Sequence, residues 1–142
     1  MTKTCLIGCS KRKLATAAPA ETLYTSTRFQ LAKRYSRQHF DAWYVLSALH
    51  GLLPPDRVVE PYDRTLNTMR QSERKDWSTA VAEDMHRLVP KNTEITILAG
   101  RRYIEFLAPL LTRLGYRLDI PLARMTQGAQ LHWLKRKLDD GK

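Results

Sequence analysis

Long apolar runs are missing from this chain, and so is the apolar opening of a secretory leader: Met1-Thr2-Lys3-Thr4 begins it. A membrane span needs roughly 20 predominantly apolar residues, so the expectation is a soluble, cytoplasmic protein with no membrane partner. Cysteine is almost absent. Cys5 and Cys9 sit too close within one apolar run to staple a fold, and no Cys/His set elsewhere completes a zinc site. Neither metal nor other cofactor is expected. Glycine is scarce, at 6 of 142 residues, and no segment has the second glycine and Gly-Lys-Ser/Thr ending of a nucleotide-binding P-loop. Neither cysteine has an arginine six residues on, which excludes a phosphatase loop. No internal repeat or low-complexity tract is present.

Acidic residues are also few. Fourteen Asp and Glu against 24 Lys and Arg leave a net charge of +10, which points to an acidic partner, nucleic acid being the commonest. DNA is the leading partner and tRNA the alternative. The cations cluster at Lys11-Arg12-Lys13, Lys33-Arg34, Arg74-Lys75, Arg101-Arg102 and Lys135-Arg136-Lys137. For the pairs at Lys33 and Arg74 a solvated helix face is the simpler expectation. Those at Lys11 and Arg101 each follow an expected buried strand.

What is present is enough for one core: 43% hydrophobic residues against 27% charged in 142 residues is the balance of a single globular domain over residues 1–142. Thr4–Cys9, Trp43–Ala48 and Glu94–Ala99 are short apolar runs suited to strands buried on both faces, and Tyr116–Pro121 is a more amphipathic edge strand. Ser26 is placed to cap a helix that turns Phe29, Ala32 and Tyr35 inward. Ser72 is placed to cap another with Trp77, Val81, Met85 and Leu88 inward. A third follows Gly100, with Ile104, Leu107, Leu111 and Leu114 on one face, Gly115 as its stop and Pro109 marking a kink or a late start. The last begins near Gly128, with Leu131, Leu134 and Leu138 as its stripe. Strands alternating with helices imply a three-layer α/β domain whose four-stranded, mostly parallel sheet is flanked by helices.

In such sheets the site lies beyond the carboxyl ends of the strands. Gly8-Cys9-Ser10-Lys11 can form an anion-binding turn there, with Ser10, Lys11, Arg12 and Lys13 facing phosphate; Cys9 as a nucleophile is the weaker alternative. Arg101 and Arg102 are the corresponding cations after Gly100. His50 leaves the second strand and can donate to a leaving group or hold the turn. His39, His86 and His132 fall on helical surfaces. The stretch from His50 to Gln71 is too long for a plain connector. Within it Pro61-Tyr62-Asp63 sets an aromatic ring beside a carboxylate, an arrangement for stacking a base and assisting chemistry. Glu60 is the rival carboxylate, and a turn or ion pair with Arg64 or Arg57 is the structural alternative for Asp63.

Taken together, Leu6-Ile-Gly-Cys-Ser-Lys-Arg-Lys13, Leu23-Tyr24-Thr-Ser26 with Phe29, Leu46-Ser-Ala-Leu-His-Gly-Leu-Leu53, Pro61-Tyr-Asp63, Leu98-Ala-Gly100, Pro121-Leu122, Gly128 and Gln130-Leu-His-Trp-Leu134 resemble a small bacterial and phage family. It is the YaaA-like family, named after a peroxide-stress DNA-binding protein. A more distant similarity is to uracil-DNA-glycosylase-like domains, including an anti-phage DNA glycosylase. That resemblance implies a DNA glycosylase hydrolysing the N-glycosidic bond of a modified base. Asp63 and His50 would be catalytic, Ser10, Lys11, Arg12, Lys13, Arg101 and Arg102 would hold phosphate, and Tyr24, Tyr62, Gly100, Gln127 and Gln130 would surround the base. The Gly-Gln-Asp-Pro-Tyr and His-Pro-Ser segments of uracil-DNA glycosylases are absent, so their water-activating aspartate has no counterpart. A non-catalytic DNA-binding protein and a small-molecule nucleotide enzyme are the readings from other classes.

Overall fold

The computed structural model describes residues 2–122 and 124–140. Its first strand, β1 (Lys3–Gly8), is buried from Thr4 onward. Leu6 and Ile7 on its opposite faces are wholly inaccessible, each contributing about 1.5–3 kcal/mol of burial. A strand apolar on both faces has to lie inside a sheet covered on both sides, and β1 is the central one.

After β1 come β2 (Ala18–Pro19), α1 (Ala20–Leu23), α2 (Thr27–His39), β3 (Ala42–Ser47), β4 (Gly51–Leu53) and β5 (Val58–Val59). A single 3-10 turn (Leu66–Thr68) leads to α3 (Gln71–Leu88), β6 (Glu94–Leu98), α4 (Arg101–Ile104), α5 (Leu107–Arg113), β7 (Arg117–Asp119) and α6 (Gln127–Asp140). The main sheet has the order β4-β3-β1-β6-β7. β1 pairs in parallel with β3 and β6, and β6 with β7. β2 and β5 make a small separate antiparallel pair.

The sheet thus has five strands where four were expected. The added strand is β4, which turns back from β3 and pairs antiparallel with it, Val45 facing Leu53 and Ser47 facing Gly51. Ala48, Leu49 and His50 form the turn, and Gly51 takes φ +70°, a left-handed conformation that glycine adopts without steric cost. Three residues are too few to show a period of two, which is why His50-Gly51-Leu52-Leu53 reads as a loop in sequence.

The crossovers through α2 and through α3 leave β1 and β3 in opposite directions across the sheet. Right-handed connections then put the helices on opposite faces: α2 packs with α6, and α3 with α5. Ser26 caps α2, its Oγ accepting from Phe29 N–H at 3.2 Å, and Phe29 and Ala32 are fully buried. α3 starts before Ser72, with Arg70 at its cap position and the Glu73 carboxylate accepting from Arg70 N–H at 3.2 Å. Trp77, Val81 and Met85 face the core as expected, but Leu88 is 50% exposed, because the chain straightens there and Val89 fills the interior in its place. Pro109 is the third residue of α5, where its missing N–H leaves no intrahelical bond unmade; the helical stretch starts at Arg101 directly after Gly100, is interrupted at Glu105 and Phe106 and resumes at Leu107. Gly115, at φ +96°, ends it. No helix among the described residues is long and apolar enough to cross a membrane.

Arg74 corrects the expectation of a solvated pair. It is 8% exposed, its Nε donates to Glu105 at 2.8 Å and its Nη1 to the Met69 carbonyl at 2.6 Å. Removing one partner of such a pair leaves the other desolvated and unmatched. Arg74→Ala is therefore expected to lower the unfolding free energy by about 2–4 kcal/mol in urea titration, while Lys75→Ala, at an exposed neighbour, changes it by less than about 0.5 kcal/mol. Equal effects of the two would refute this account of Arg74.

Candidate functional site

At the point where the crossovers diverge, the chain leaves β1 toward one face and β6 toward the other. Open α/β sheets bind ligands at this switch point, and a cavity of about 860 Å³ lies there. Its floor includes Gly8, Cys9, Gly100 and Tyr103; the starts of α2 and α6 contribute Ser26, Thr27, Arg28 and Gln127, Gln130, Leu131. Gly8 permits the close approach of the two strand ends, because a Cβ there would meet the Ala99 Cβ at 3.0 Å.

Among the described residues, five cations line the cavity, Lys11, Arg12, Lys13, Arg28 and Arg64, against a single carboxylate, Asp63. The loop after β1 arches over the floor: Ser10 Oγ donates to the Arg12 carbonyl at 3.3 Å and Lys13 Nζ to the Lys11 carbonyl at 3.2 Å. Cys9 N–H is bonded to the Leu46 carbonyl and so has no donor left for an anion. Lys13 Nζ stands 4.5 Å from the Tyr62 ring centre. Burial lowers the Lys13 pKa, against the attraction of Cys9 and Asp63. Asp63 itself is exposed, and among the described residues it has no ion-pair partner; Arg64 reaches Glu73 instead, at 3.5 Å.

Ser10, Lys11, Arg12, Lys13, Asp63, Gly100, Gln127 and Gln130 are thus brought together, from four stretches of chain. Gln130 is 8% exposed and its Nε2 donates to the Met125 carbonyl at 3.2 Å, so its amide also fixes the turn before α6. The other expected site residues lie elsewhere. Arg101 and Arg102 open α4 as exposed side chains, Arg102 reaching Glu105 at 3.6 Å. His50 sits at the β3–β4 turn with its ring edge-on to Tyr62 at 5.7 Å; burial and the Arg57 charge lower its pKa. Glu60 is exposed outside the cavity.

The two tyrosines do not offer their rings to the cavity. Tyr24 is wholly inaccessible. Its hydroxyl meets the Tyr62 hydroxyl at 2.5 Å, which meets Ser47 Oγ at 2.8 Å. Ser47 Oγ in turn accepts from His50 N–H at 3.0 Å, and the Ser47 carbonyl accepts from Trp77 Nε1 at 2.9 Å. This network anchors the long loop to the end of β3 and so delivers Asp63, the next residue after Tyr62, to the cavity.

Among the cavity residues that sequence missed are Arg28, Arg64, Asn67 and Tyr103. Arg28 Nη2 donates to the Gly8 and Cys9 carbonyls at 3.4 and 3.3 Å. Its Nη1 is buried with no hydrogen-bond partner among the described residues. Burial lowers its pKa, opposed by Cys9 and Tyr103; a guanidinium nevertheless stays charged. Tyr103 OH lies 3.3 Å from Cys9 Sγ, and burial, with Cys9 beside it, raises its pKa. Nothing in the periodicity of α2 separates Arg28 from its surface cations; its place at the helix start, opposite a strand end, was the available signal. Among the described residues no three His, Cys, Asp or Glu side chains group closely enough to hold a metal ion.

Residues 4–136 match the family of unknown function DUF6884. The chain belongs to this family. One relative is the uncharacterized protein YfjM of Bacillus subtilis strain 168, 40% identical over 115 residues that cover 72% of this chain and 73% of the relative. No solved structure matches. The family match spans every segment that lines the cavity.

Burial of the tyrosine network makes a pH prediction. Burial pushes Tyr24 up to about 12, against about 10 in an unfolded chain, and raises Tyr62 as well. Between those values the unfolded chain binds fewer protons than the native one, so stability falls as pH rises through that window. The urea midpoint is expected to drop from about pH 9.5 to about pH 11.5, and Tyr24→Phe should drop less. A parental drop no larger than that of Tyr24→Phe would show that these hydroxyls ionise freely.

Proposed function

We propose that the cavity receives a nucleotide unit of DNA, held by its phosphates, and hydrolyses the N-glycosidic bond of a modified base. In this proposal the domain is a uracil-DNA-glycosylase-like variant of the α/β fold, akin to the YaaA-like family. The observation that carries it is a single carboxylate among five cations at the topological switch point. Phosphates flanking the nucleotide match Lys11, Arg12 and Arg28. Among the described residues Nη1 of Arg28 lacks an acceptor, and an anionic oxygen reaching it gains a charge-assisted bond. Extruding a base costs a few kcal/mol, which such phosphate contacts offset.

In the chemical step the C1′–N bond breaks and its electron pair leaves with the base, which takes a proton from solvent. A water adds to C1′ of the cationic sugar and gives up its proton. Cations near the base favour its departure as an anion but oppose positive charge on the sugar. Asp63 offsets the second effect, and an interaction stronger in the transition state than in the ground state is what accelerates a reaction. Gln127 and Asn67, both lining the cavity, supply amides for a base edge. His50, outside the cavity, takes no part in this step.

Asp63→Asn keeps the shape and removes the charge. It is expected to reduce single-turnover base release from modified phage DNA by about two or more orders of magnitude with DNA affinity retained. Base release at the parental rate would overturn the role of Asp63. If the parent releases no base from any modified DNA, the cations define a DNA-binding protein without catalysis. Arg28→Gln is expected to weaken binding of a nucleoside monophosphate by about tenfold or more, the scale of one charged hydrogen bond, measured by calorimetry; unchanged affinity would remove Arg28 from the phosphate site.

A further inference from the structure

The basic cluster at Lys135–Lys137 is not used by the cavity, and its position in the fold gives it a partner on α2. α2 carries Arg28, Lys33, Arg34 and Arg37 and no carboxylate. α6 packs against it and adds Lys135, Arg136 and Lys137, with two aspartates only at its end. The opposite layer differs: α3 has three Lys and Arg against four Asp and Glu, α4, packed on α3 and α5, has two arginines, and α5 has one. Net positive charge is therefore greater on the α2 and α6 face of the sheet than on the other.

Not all of these cations are open to a partner. Lys33 Nζ donates to the Glu21 carbonyl at 2.9 Å and Arg37 pairs with Glu21 at 3.3 Å, while Lys137 lies 5.5 Å from the Trp133 ring centre. Arg34, Lys135 and Arg136 are exposed. Arg34 and Lys135, far apart in the chain, line one groove of about 240 Å³ with Leu31, Leu138 and Asp139. Holding like charges together on a surface costs free energy that a polyanion relieves. Both helices also begin at the cavity, α2 with Thr27 and Arg28 and α6 with Gln127, and Arg34 and Lys135 follow about two helical turns further along.

We infer that the exposed face of α2 and α6 is a docking surface for a nucleic-acid phosphate backbone, independent of base sequence and continuous with the cavity. This rests on the reading that the cavity takes a nucleotide unit of a polynucleotide. Thirteen helical residues span about 20 Å, enough for roughly six base pairs of duplex. Such a surface would grip the flank of the duplex while one nucleotide occupies the cavity.

The test uses a duplex of about 20 base pairs without modified bases, titrated by fluorescence anisotropy across salt concentrations. Neutralising Arg34, Lys135 and Arg136 together (R34Q, K135Q, R136Q) is expected to weaken binding at low salt by about tenfold or more. The salt slope should become shallower by about two to three, one for each phosphate that the variant no longer neutralises. The pair K75Q and R113Q, on the opposite layer, should stay within about twofold of the parent. Nucleoside monophosphate binding should be unchanged in the triple variant, which separates this surface from the cavity. Should the triple variant unfold, R34Q and K135Q singly, each with a slope shallower by about one, carry the same test. A parental slope in the triple variant, or an equal loss in the control pair, overturns the inference, as does lost binding to phosphatidylserine vesicles with DNA binding intact. Equal losses on DNA and RNA duplexes assign the surface to the shared phosphate chain, and a loss on DNA alone to its B-form spacing. Because no base release is measured, these outcomes stand whether or not Asp63 proves catalytic.

Discussion

β1 and β6 run in register as far as Ile7 opposite Leu98, and immediately beyond that pair the two chains must part. One crossover goes to each face of the sheet, so the residues just past the strand ends cannot continue the ladder and have no neighbour between them. The cavity is the space this leaves. Gly8 allows the strand ends to close on Ala99 beneath it, and Arg28, bonded to the Gly8 and Cys9 carbonyls, ties the start of α2 to the same spot. The fold thus builds its floor from backbone that the sheet can no longer satisfy and a guanidinium that partly satisfies it.

The wall is set by a different kind of interaction. Tyr24, Tyr62 and Ser47 share one chain of hydroxyl hydrogen bonds, and each group can both donate and accept, so the chain holds only while all three are present. It pins a long, proline-bearing loop to β3. A tyrosine next to a carboxylate in a loop suggests a stacking ring in sequence; in the folded chain Tyr62 is the anchor, and Asp63 is what the anchor positions.

Charge follows the same division between layers. The solvent side of α2 and α6 concentrates cations, whereas α3 mixes both signs and consumes its most buried arginine, Arg74, in an ion pair with Glu105.

The central strands, the Ser26 cap, the break that Pro109 marks and the stop at Gly115 were all legible in the sequence, as was the placing of Ser10, Lys11 and Arg12 just past a strand end. Each depends on spacing within about ten residues, on turn chemistry or on apolar runs long enough to exclude water from both faces. Tertiary structure decided the rest. β4 is three residues long and acquires its strand conformation only by pairing with β3; Arg28 and Arg74 look like any helical cation until a carbonyl or a carboxylate from another element meets them. The burial of Tyr24 and Tyr62 and the joining of Arg34 to Lys135 depend on partners far away in the chain. The periodicity of a segment reports which of its faces leaves water, and it contains no term for what that face will meet.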